Sequence, residues 1–446
     1  MSPPVAIIGG GISGLTAATT LRRAGVPFTL YEAAGALGGL ATTLHDDDGF
    51  AYDFGAHFIT NRLAAAVGAG AECYDVSRYG ESVNLHGRSL SYPFGLLTEK
   101  RFLASALAQK TKPSTARKPV VNAADWFEER YGPALAHEVA LPLLEAWSGL
   151  PAHELAPVVG EQLPSSIVRT AYLKVAALLT RRAVASGYCH SQPESANVWH
   201  VYPRNGVATL CERMAVDVAD AIEYESRATA IYVEDGRVSG VRINDRDIAA
   251  SAVLCSAPLD VVARMVRGTS ELESLKRFRY RPMIFVNVRL DGRNLLSNIV
   301  VWTPDDSVPY FRLSEAPAAM PSLAPPNMTT VTCDIGARVG DEHWNMTDDA
   351  LGDLCVEHLA RIIPDVRRRY RGCRVMRTPI AYPVFALEYE PLRQRLELGS
   401  GVIGLHLIGR NGEFRHDLME DVFWRTRRRA RRVVDEFGAE SNSRSA

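Results

Sequence analysis

The sequence has few cysteines, no excess of either charge and no long apolar run. Its seven cysteines are scattered over 446 residues, odd in number and never in a CxxC pair, which argues against structural zinc and a disulfide framework. The formal net charge of −1 gives no general attraction to nucleic acid or to an anionic membrane surface. No apolar run approaches the length of a membrane span, and the first strand begins too early to leave room for a signal peptide. We therefore expect a cytoplasmic protein with a small-molecule substrate, no metal, no nucleic-acid partner and no integral membrane contact.

The composition is that of an ordinary globular enzyme, with 47% hydrophobic and 23% charged residues. A chain of 446 residues is too long for a single hydrophobic core, so we expect two interleaved domains. The function therefore has to be inferred from short motifs.

A glycine-rich turn follows the first apolar run. Val5–Ile8 suits a buried parallel strand, and Gly9, Gly11 and Gly14 follow it in the spacing GxGxxG, before a predicted helix over Leu15–Ala24. The first glycine permits a tight turn, the second lets the backbone approach a pyrophosphate, and the third lets helix and strand pack closely. The positive end of the helix dipole would face the phosphates. The pattern predicts a dinucleotide-binding strand, turn and helix.

An acid and a glycine pair indicate which dinucleotide this turn would bind. A second apolar run, Phe28–Tyr31, ends at Glu32, where a carboxylate would accept hydrogen bonds from a ribose hydroxyl and repel a 2′-phosphate. Gly38 and Gly39 follow, and this spacing resembles the FAD-binding signature of the amine oxidase and protoporphyrinogen oxidase superfamily. The resemblance implies FAD as the cofactor. The residues of this region that it implies in FAD binding are Gly9, Gly11, Ile12, Ser13, Gly14, Glu32, Ala33, Gly38, Gly39 and Leu40.

His57 is the first candidate for a catalytic side chain. The apolar alternation from Phe50 to Phe58 predicts a strand, and Gly55 and Ala56 would let the backbone pass close to a flat ring. The segment resembles the Gly-x-His strand that passes the flavin in UDP-galactopyranose mutase and its relatives, which implies flavin contacts from Gly55, Ala56 and His57. A histidine that serves only the hydrophobic core is the alternative.

A long helical block interrupts the nucleotide-binding pattern. A hairpin predicted over Ser82–Ser91 is followed by helical spacing from Leu103 to Ala185, with Asn122 as a predicted N-cap. We expect this block to cover the substrate. It contains Trp147 in the sequence Glu-Ala-Trp-Ser, where the mutase-like family has Lys-x-Trp-Gly. The tryptophan is retained, whereas the lysine and the glycine are not.

A β-meander and a strand-rich region follow the helical block. Two alternating runs on either side of Asp235 and Gly236 predict a hairpin, and the family resemblance places Ala228 beside the adenine. Further elements are expected as strands over 278–290, 299–303, 308–313, 329–335 and 376–383 and as a helix over 348–363. Flavin amine oxidases often have a lysine near the first of these strands. Positions 282–286 hold none, which counts against a simple amine oxidase.

The last motif lies near the C-terminus. An apolar strand ends in Gly409 and Arg410, and a helix is predicted from about Leu418 with Asp417 as its cap, so that a second helix N-terminus would face an anion. The stretch resembles the Gly-Arg…Tyr-Asn-Met-Asp motif of mutase-like and protoporphyrinogen-oxidase-like flavoproteins, with Met419 in the place of its methionine. The resemblance implies flavin contacts from Gly409, Arg410, Asp417, Leu418 and Met419.

Arg410 is the second candidate for a catalytic side chain. Its guanidinium is planar and permanently charged, so it would stabilise negative charge on a reduced flavin or hold a substrate anion. The His57 imidazole could orient the ring or shuttle a proton near neutral pH. An ordinary surface ion pair between Arg410 and Glu413 or Glu420 is the alternative.

The resemblance runs through nearly the whole chain and implies an α/β fold. It consists of a Rossmann-like FAD-binding domain in discontinuous pieces, with a substrate domain of antiparallel sheet and helices. The predicted FAD-binding pieces are residues 1–80, 201–265 and 391–438, and the substrate domain takes residues 81–200 and 266–390. The last helix carries arginines opposite an apolar face, which is typical of a solvated surface, and residues 439–446 are expected to be disordered.

Three functions agree with these motifs. The first is an FAD-dependent oxidoreductase that removes hydride from, or desaturates, a small polar or ring-containing metabolite such as a sugar, an amino sugar or a secondary-metabolite intermediate. The second is a non-redox flavin mutase acting on a nucleotide sugar, and the third is a flavin-carrying protein without catalysis. We favour the first, because the altered Lys-x-Trp-Gly motif weighs against the second.

Overall fold

The computed structural model describes residues 3–113, 115, 118–162 and 167–445. Its strands, in chain order, are β1 (Val5–Ile8), β2 (Phe28–Tyr31), β3 (Thr43–His45), β4 (Ala51–Asp53), β5 (Ile59–Thr60), β6 (Cys73–Asp75), β7 (Glu81–Leu85), β8 (Arg88–Ser91), β9 (His200–Pro203), β10 (Ile222–Glu223), β11 (Ala228–Glu234), β12 (Arg237–Ile243), β13 (Arg246–Ala249), β14 (Val253–Cys255), β15 (Val266–Arg267), β16 (Tyr280–Asp291), β17 (Val300–Trp302), β18 (Arg312–Ser314), β19 (Met328–Gly336), β20 (Tyr370–Pro383) and β21 (Leu405–Leu407). Its α-helices are α1 (Ile12–Arg23), α2 (Asn61–Val67), α3 (Phe94–Leu97), α4 (Lys100–Thr111), α5 (Ala123–Tyr131), α6 (Pro133–Leu135), α7 (Leu141–Ser148), α8 (Ile167–Thr180), α9 (Thr209–Val216), α10 (Leu259–Met265), α11 (Glu342–Asn345), α12 (Asp348–Leu359), α13 (Val366–Arg369), α14 (Glu390–Leu398), α15 (Gly409–Gly412) and α16 (Met419–Ser445).

A parallel sheet of five strands forms the centre of the nucleotide-binding half, in the order β10-β2-β1-β14-β21. Every residue of β1 is buried, as expected for a strand that is covered on both faces. The carboxyl ends of parallel strands meet at one edge of the sheet, so the glycine turn after β1, Glu32 after β2 and Gly409 after β21 all lie there. The predicted Rossmann-like α/β architecture is confirmed.

The first and last helices pack together on this sheet. Phe423 and Val433 of α16 belong to the same buried cluster as Leu15 of α1, so the apolar face of the arginine-rich helix is used for packing, as its spacing predicts. The helix continues to Ser445. The disorder expected for residues 439–446 stays a prediction, and Ala446 lies outside the described residues.

A mixed sheet of seven strands forms the other half, in the order β20-β16-β19-β18-β17-β7-β8. Most of its pairs are antiparallel, and the pair of β17 with β7 is parallel. The strand predicted over 308–313 is wrong, because Asp305 accepts hydrogen bonds from Ser307 N and Val308 N and forms a turn there. The observed strand covers only Arg312–Ser314, while β20 begins at Tyr370, earlier than predicted.

Two local predictions of turns and caps are confirmed. Asp235 and Gly236 both have positive φ, 50° and 74°, and join β11 to β12 as a tight hairpin turn. The Asn122 side chain accepts a hydrogen bond from Asp125 N, and the Asp125 side chain accepts one from the Asn122 backbone, which completes a capping box at α5.

Within the block predicted to be helical, the helix from Pro133 to Ser148 is interrupted. Its first turn is α6, its last is α7, and Ala136–Ala140 between them is π-helical. Pro142 has no N–H to donate to the carbonyl four residues earlier, which favours the altered winding.

Among the described residues, no helix is long and apolar enough to cross a membrane.

Candidate active site

Two of the three fingerprint glycines are required by contacts within the chain. A Cβ added to Gly14 would lie 1.8 Å from the carbonyl oxygen of Gly9, so α1 can approach the turn only with glycine at this position. Gly9 itself has a φ of +101°, and a Cβ on it would lie 2.3 Å from Oγ of Ser256. Both glycines therefore serve the close packing of strand, turn and helix.

Gly11 is different, because no contact within the chain requires glycine there. A Cβ on Gly11 would meet only the carbonyl of Gly38, at an ordinary distance of 3.5 Å, and the Cα of Gly11 lies against Gly39, whose φ is +57°. Gly38 N donates to Gly10 O at 3.0 Å, so the glycine pair is held against the turn. The open space beside Gly11 at the start of α1 fits a pyrophosphate that approaches the backbone.

Glu32 lies beside the same turn. Its carboxylate accepts hydrogen bonds from Gly10 N at 2.6 Å and from Ala34 N at 2.8 Å, which fixes its position at the end of β2. Each carboxylate oxygen has a second lone pair, so Glu32 can still accept hydrogen bonds from ribose hydroxyls. Ser226 N donates to Glu32 O at 2.8 Å, and this contact brings the start of β11, with Ala228, close to Glu32.

The C-terminal motif meets the start of α1. A Cβ on Gly409, whose φ is +77°, would lie 2.2 Å from Oγ of Ser13, so these two predicted flavin-binding residues are in contact. Ile12 beside Ser13 is half-buried, as is Leu40, whereas Ala33 is exposed. These residues lie along the carboxyl edge of the parallel sheet, and their contacts with FAD remain predictions.

Arg410 is half-buried and does not form a surface ion pair with Glu413 or Glu420. Its Nε donates to the carbonyl oxygen of Asp417 at 3.0 Å, and its guanidinium carbon lies 5.5 Å from the ring centre of Tyr382. The two acids proposed as alternative partners are bound elsewhere: Glu413 to Arg425 at 2.9 Å, and Glu420 to Arg62 and Thr60. The ion-pair interpretation of Arg410 is therefore wrong.

Asp417 does not cap the last helix through its side chain. The carboxylate is 3.1 Å from Arg425 Nε and 3.3 Å from Arg415 Nε, so two guanidiniums hold it. The helix begins at Met419, and Leu418 and Met419 are half-buried. The predicted helix start is correct to within one residue, whereas the predicted role of Asp417 as a cap is wrong.

His57 and Arg410 belong to one cluster of side chains. Arg410 and Arg312 are both close enough to lower the pKa of His57 and that of His416. Tyr382 joins the cluster, with its ring 5.4 Å from that of His416.

Gly55 lies beside this cluster, in the bend that follows β4, because the strand predicted over Phe50–Phe58 covers only Ala51–Asp53 in the structure. Its φ is +85°, and a Cβ on it would lie 3.2 Å from the ring of Phe285 and 3.4 Å from Arg312. Trp147 closes another side of the cluster, with its ring 5.0 Å from that of His416 and 5.4 Å from that of Tyr382. Trp147 therefore lies at the candidate active site as well as in the core.

The two arginines of the cluster are cationic. Arg312 binds the fully buried carboxylate of Asp334, with its Nε 2.7 Å from Oδ2. Burial lowers the pKa of Arg312, but Asp334 and Tyr382 outweigh it, so its pKa lies above the ordinary value. Burial also lowers the pKa of Arg410, whereas Tyr382 and Asp417 raise it by less. A guanidinium stays protonated in proteins, so Arg410 keeps its charge.

The two histidines of the cluster are neutral at physiological pH. Burial, followed by Arg410 and Arg312, lowers the pKa of His57 to about 4 and that of His416 to about 3. Within the described part of the chain, Nδ1 of each ring is buried without a hydrogen-bond partner. A pKa this low argues against a proton shuttle at His57 near neutral pH, and the catalytic role of this residue stays a prediction.

The sequence motifs do not indicate three members of the cluster. Arg312 and Tyr382 come from strands of the seven-stranded sheet, where no local pattern marks them as polar residues of a site. His416 lies inside the C-terminal motif, and its position between Arg415 and Asp417 was the one available signal.

The glycine turn, the acid after β2 and the C-terminal turn together define a dinucleotide-binding α/β protein with a cluster of cationic and aromatic side chains. Residues 7–65 match the NAD(P)-binding Rossmann-like domain, and residues 122–434 match the flavin containing amine oxidoreductases. The chain belongs to the flavin containing amine oxidoreductase family. It is an FAD-dependent oxidoreductase, and the open space at Gly11 and the acceptor at Glu32 fit that cofactor.

Several solved structures share the fold over nearly the whole chain. A reduced UDP-galactopyranose mutase has 17% identity and a TM-score of 0.78, covering 97% of this chain and 96% of the other. A putative protoporphyrinogen oxidase from Exiguobacterium sp. 255-15 has 18% identity and a TM-score of 0.74, covering 98% and 99%. Wild-type putrescine oxidase bound to putrescine has 16% identity and a TM-score of 0.65, covering 98% and 99%. At these identities the likeness shows a common fold.

Proposed function

We propose that this enzyme removes hydride from a C–H bond of a small polar metabolite, such as a sugar or an amino sugar, that also carries an anionic group. The proposal rests on two guanidiniums, those of Arg312 and Arg410. Both lie close enough to His57 and His416 to lower the pKa of each ring. If the substrate carried no negative charge, the guanidinium of Arg410 would have no anionic group to bind at this cluster. FAD, when bound, supplies the chemistry by accepting the hydride.

The two arginines would have different tasks. Arg312 is already bound to Asp334, which offsets part of its charge and fixes the direction of its guanidinium. For Arg410 the described residues provide one hydrogen bond, from Nε to a backbone carbonyl, so its terminal nitrogens can donate to a carboxylate or phosphate. Such charge-assisted, two-point contacts orient a substrate as well as bind it.

The aromatic and imidazole rings would position the rest of the substrate. Trp147 and Tyr382 form a wall with ring centres 5.4 Å apart, which suits the apolar face of a sugar ring. Loss of hydride from a carbon also requires loss of a proton from the attached oxygen or nitrogen. The neutral His57 ring can accept a hydrogen bond from that group at a ring nitrogen and so orient it.

A non-redox mutase that acts on a nucleotide sugar is the second candidate. The same two arginines would also suit a diphosphate, whereas Glu-Ala-Trp-Ser stands where the mutase-like motif has Lys-x-Trp-Gly. The two candidates differ in the redox state that turns over: the oxidised enzyme for hydride removal, and the reduced enzyme for the mutase.

A turnover screen tests the proposal. The oxidised enzyme is given a panel of amino sugars, sugar acids, sugar phosphates, nucleotide sugars and porphyrinogens, each with and without its anionic group, while reduction of oxygen or of a dye is followed. We expect turnover with an anionic sugar-like compound and little with its uncharged analogue. Turnover of cationic or uncharged amines alone would overturn the proposed substrate class.

A further inference from the structure

Helix α8 exposes an apolar face to solvent, the reverse of an ordinary surface helix. A helix on a protein surface usually buries its apolar side and exposes polar residues, and monomeric proteins rarely expose a continuous apolar patch. The exposed large apolar side chains of α8, with their exposed fractions, are Val168 (78%), Tyr172 (59%), Val175 (53%), Leu178 (80%) and Leu179 (82%).

These side chains form one stripe along the helix. At about 100° per residue, Val168, Tyr172, Val175 and Leu179 fall within a sector of roughly 60°, and Leu178 extends it on one side. The buried residues Thr170 and Leu173 fall on the opposite side, where α8 rests on the protein. The stripe therefore faces directly away from the molecule.

Basic residues border the stripe. Residues 167–182 contain Arg169, Lys174, Arg181 and Arg182 and no aspartate or glutamate. On the same helical projection Lys174 lies about 40° from Leu178, and Arg169 lies on the other border. Arg181 follows the last residue of the helix and has a φ of 54°. Lys174 and Arg181 are both exposed. Two of the four have acidic neighbours elsewhere: Arg169 lies 4.0 Å from Glu194, and Arg182 lies 3.2 Å from Asp75.

We propose that α8 docks the enzyme on an anionic lipid surface, with the stripe in the interface and the basic residues at the headgroups. An apolar stripe bordered by Lys and Arg is the pattern of helices that lie in the membrane plane. With 14 residues, α8 is about 21 Å long, shorter than a bilayer's hydrocarbon core of about 30 Å, so it would lie on the membrane. A second copy suits the stripe less well, because a two-fold contact between α8 helices brings like charges together.

Vesicle co-sedimentation of the FAD-loaded enzyme tests this proposal. We expect binding to vesicles of phosphatidylcholine and phosphatidylserine, weaker binding to phosphatidylcholine alone, and loss of binding as salt is raised. The double variant Leu178→Gln/Leu179→Gln should partition about tenfold more weakly or worse, because it removes the most exposed apolar groups. Lys174→Gln/Arg181→Gln should lose the preference for phosphatidylserine while keeping the apolar contact.

A matched control distinguishes docking through α8 from nonspecific adsorption to vesicles. Leu398, on α14, is 90% exposed and lies outside the stripe, so Leu398→Gln should bind vesicles like the wild type. Circular dichroism and flavin absorbance should be unchanged in every variant, since all these side chains are exposed. Absence of wild-type binding, or equal loss in Leu398→Gln, would overturn the proposal. So would a concentration-dependent dimer in sedimentation equilibrium that Leu178→Gln/Leu179→Gln abolishes, because a second copy would then cover the stripe.

Discussion

Replacing Arg410 by methionine should slow reduction of the flavin by substrate while leaving FAD bound. Methionine keeps much of the volume of the side chain and removes its charge and its donors. In the structure Arg410 contacts Asp417 O and the ring of Tyr382, whereas the fingerprint turn that is predicted to hold FAD lies after β1. The variant should therefore purify yellow, with the wild-type flavin spectrum on denaturation.

The expected size follows from the chemistry of a positioned charge. Removing one preorganised donor from an active site typically costs about 10²- to 10³-fold in rate, or about 3–4 kcal/mol. Arg410→Lys should lose less, because it keeps the charge and loses only the planar fork. The loss of Arg410 should also raise the pKa of His57 and of His416, since after burial it is the next largest cause that lowers both.

Anaerobic stopped-flow measurement of flavin bleaching supplies the rate. Exposed Arg428 on α16 provides a control, and Arg428→Met should reduce its flavin like the wild type. A substrate analogue without the anionic group should react slowly with the wild type and no more slowly with Arg410→Met, because the two changes remove the same contact. Wild-type bleaching rates in Arg410→Met with the charged substrate would refute the assignment of this residue.

Four further substitutions test the fold and the cofactor site. Gly11→Val should fold, because its Cβ has room within the chain, but it should fail to retain FAD. Gly14→Val should fail to fold, because its Cβ overlaps Gly9 O. Flavin content and circular dichroism distinguish the two. His200 is fully buried, and burial lowers its pKa to about 4. Because the unfolded chain binds this proton more tightly, His200 lowers the free energy of unfolding as pH falls from about 6.5 to about 4. Urea titrations should show His200→Phe reducing that pH dependence by roughly 3 kcal/mol. Asn122→Ala should lower the free energy of unfolding by about 1 kcal/mol through loss of the α5 cap, with flavin reduction unchanged.

The elements that the sequence predicts best are those set by backbone chemistry over a few residues. The glycine turn and the Asp235–Gly236 hairpin both require conformations that few residues adopt, so their sequence pattern is specific. The capping box at Asn122 is equally local, because donor and acceptor lie three residues apart. Such features do not depend on which distant strands are neighbours.

The composition of the side-chain cluster depends on distant neighbours, and the sequence motifs indicate only part of it. Arg312 and Tyr382 reach the pocket through the order of strands in a seven-stranded sheet, which periodicity does not specify. The alternative ion pair of Arg410 with Glu413 is absent because Arg425 and Arg429, four residues apart on α16, both reach Glu413. The low pKa of His57 follows from burial and two nearby guanidiniums, which no local pattern indicates.

The most direct test of the proposed reaction counts electrons in a single anaerobic turnover. Oxidised enzyme is mixed with one equivalent of the substrate found by the screen, flavin absorbance is recorded, and the product is analysed by mass spectrometry. The account predicts that one equivalent of substrate bleaches one equivalent of flavin, that the product has lost two hydrogens, and that an electron acceptor restores the colour. A product isomeric with the substrate, formed only by enzyme reduced beforehand and without net loss of electrons, would contradict it.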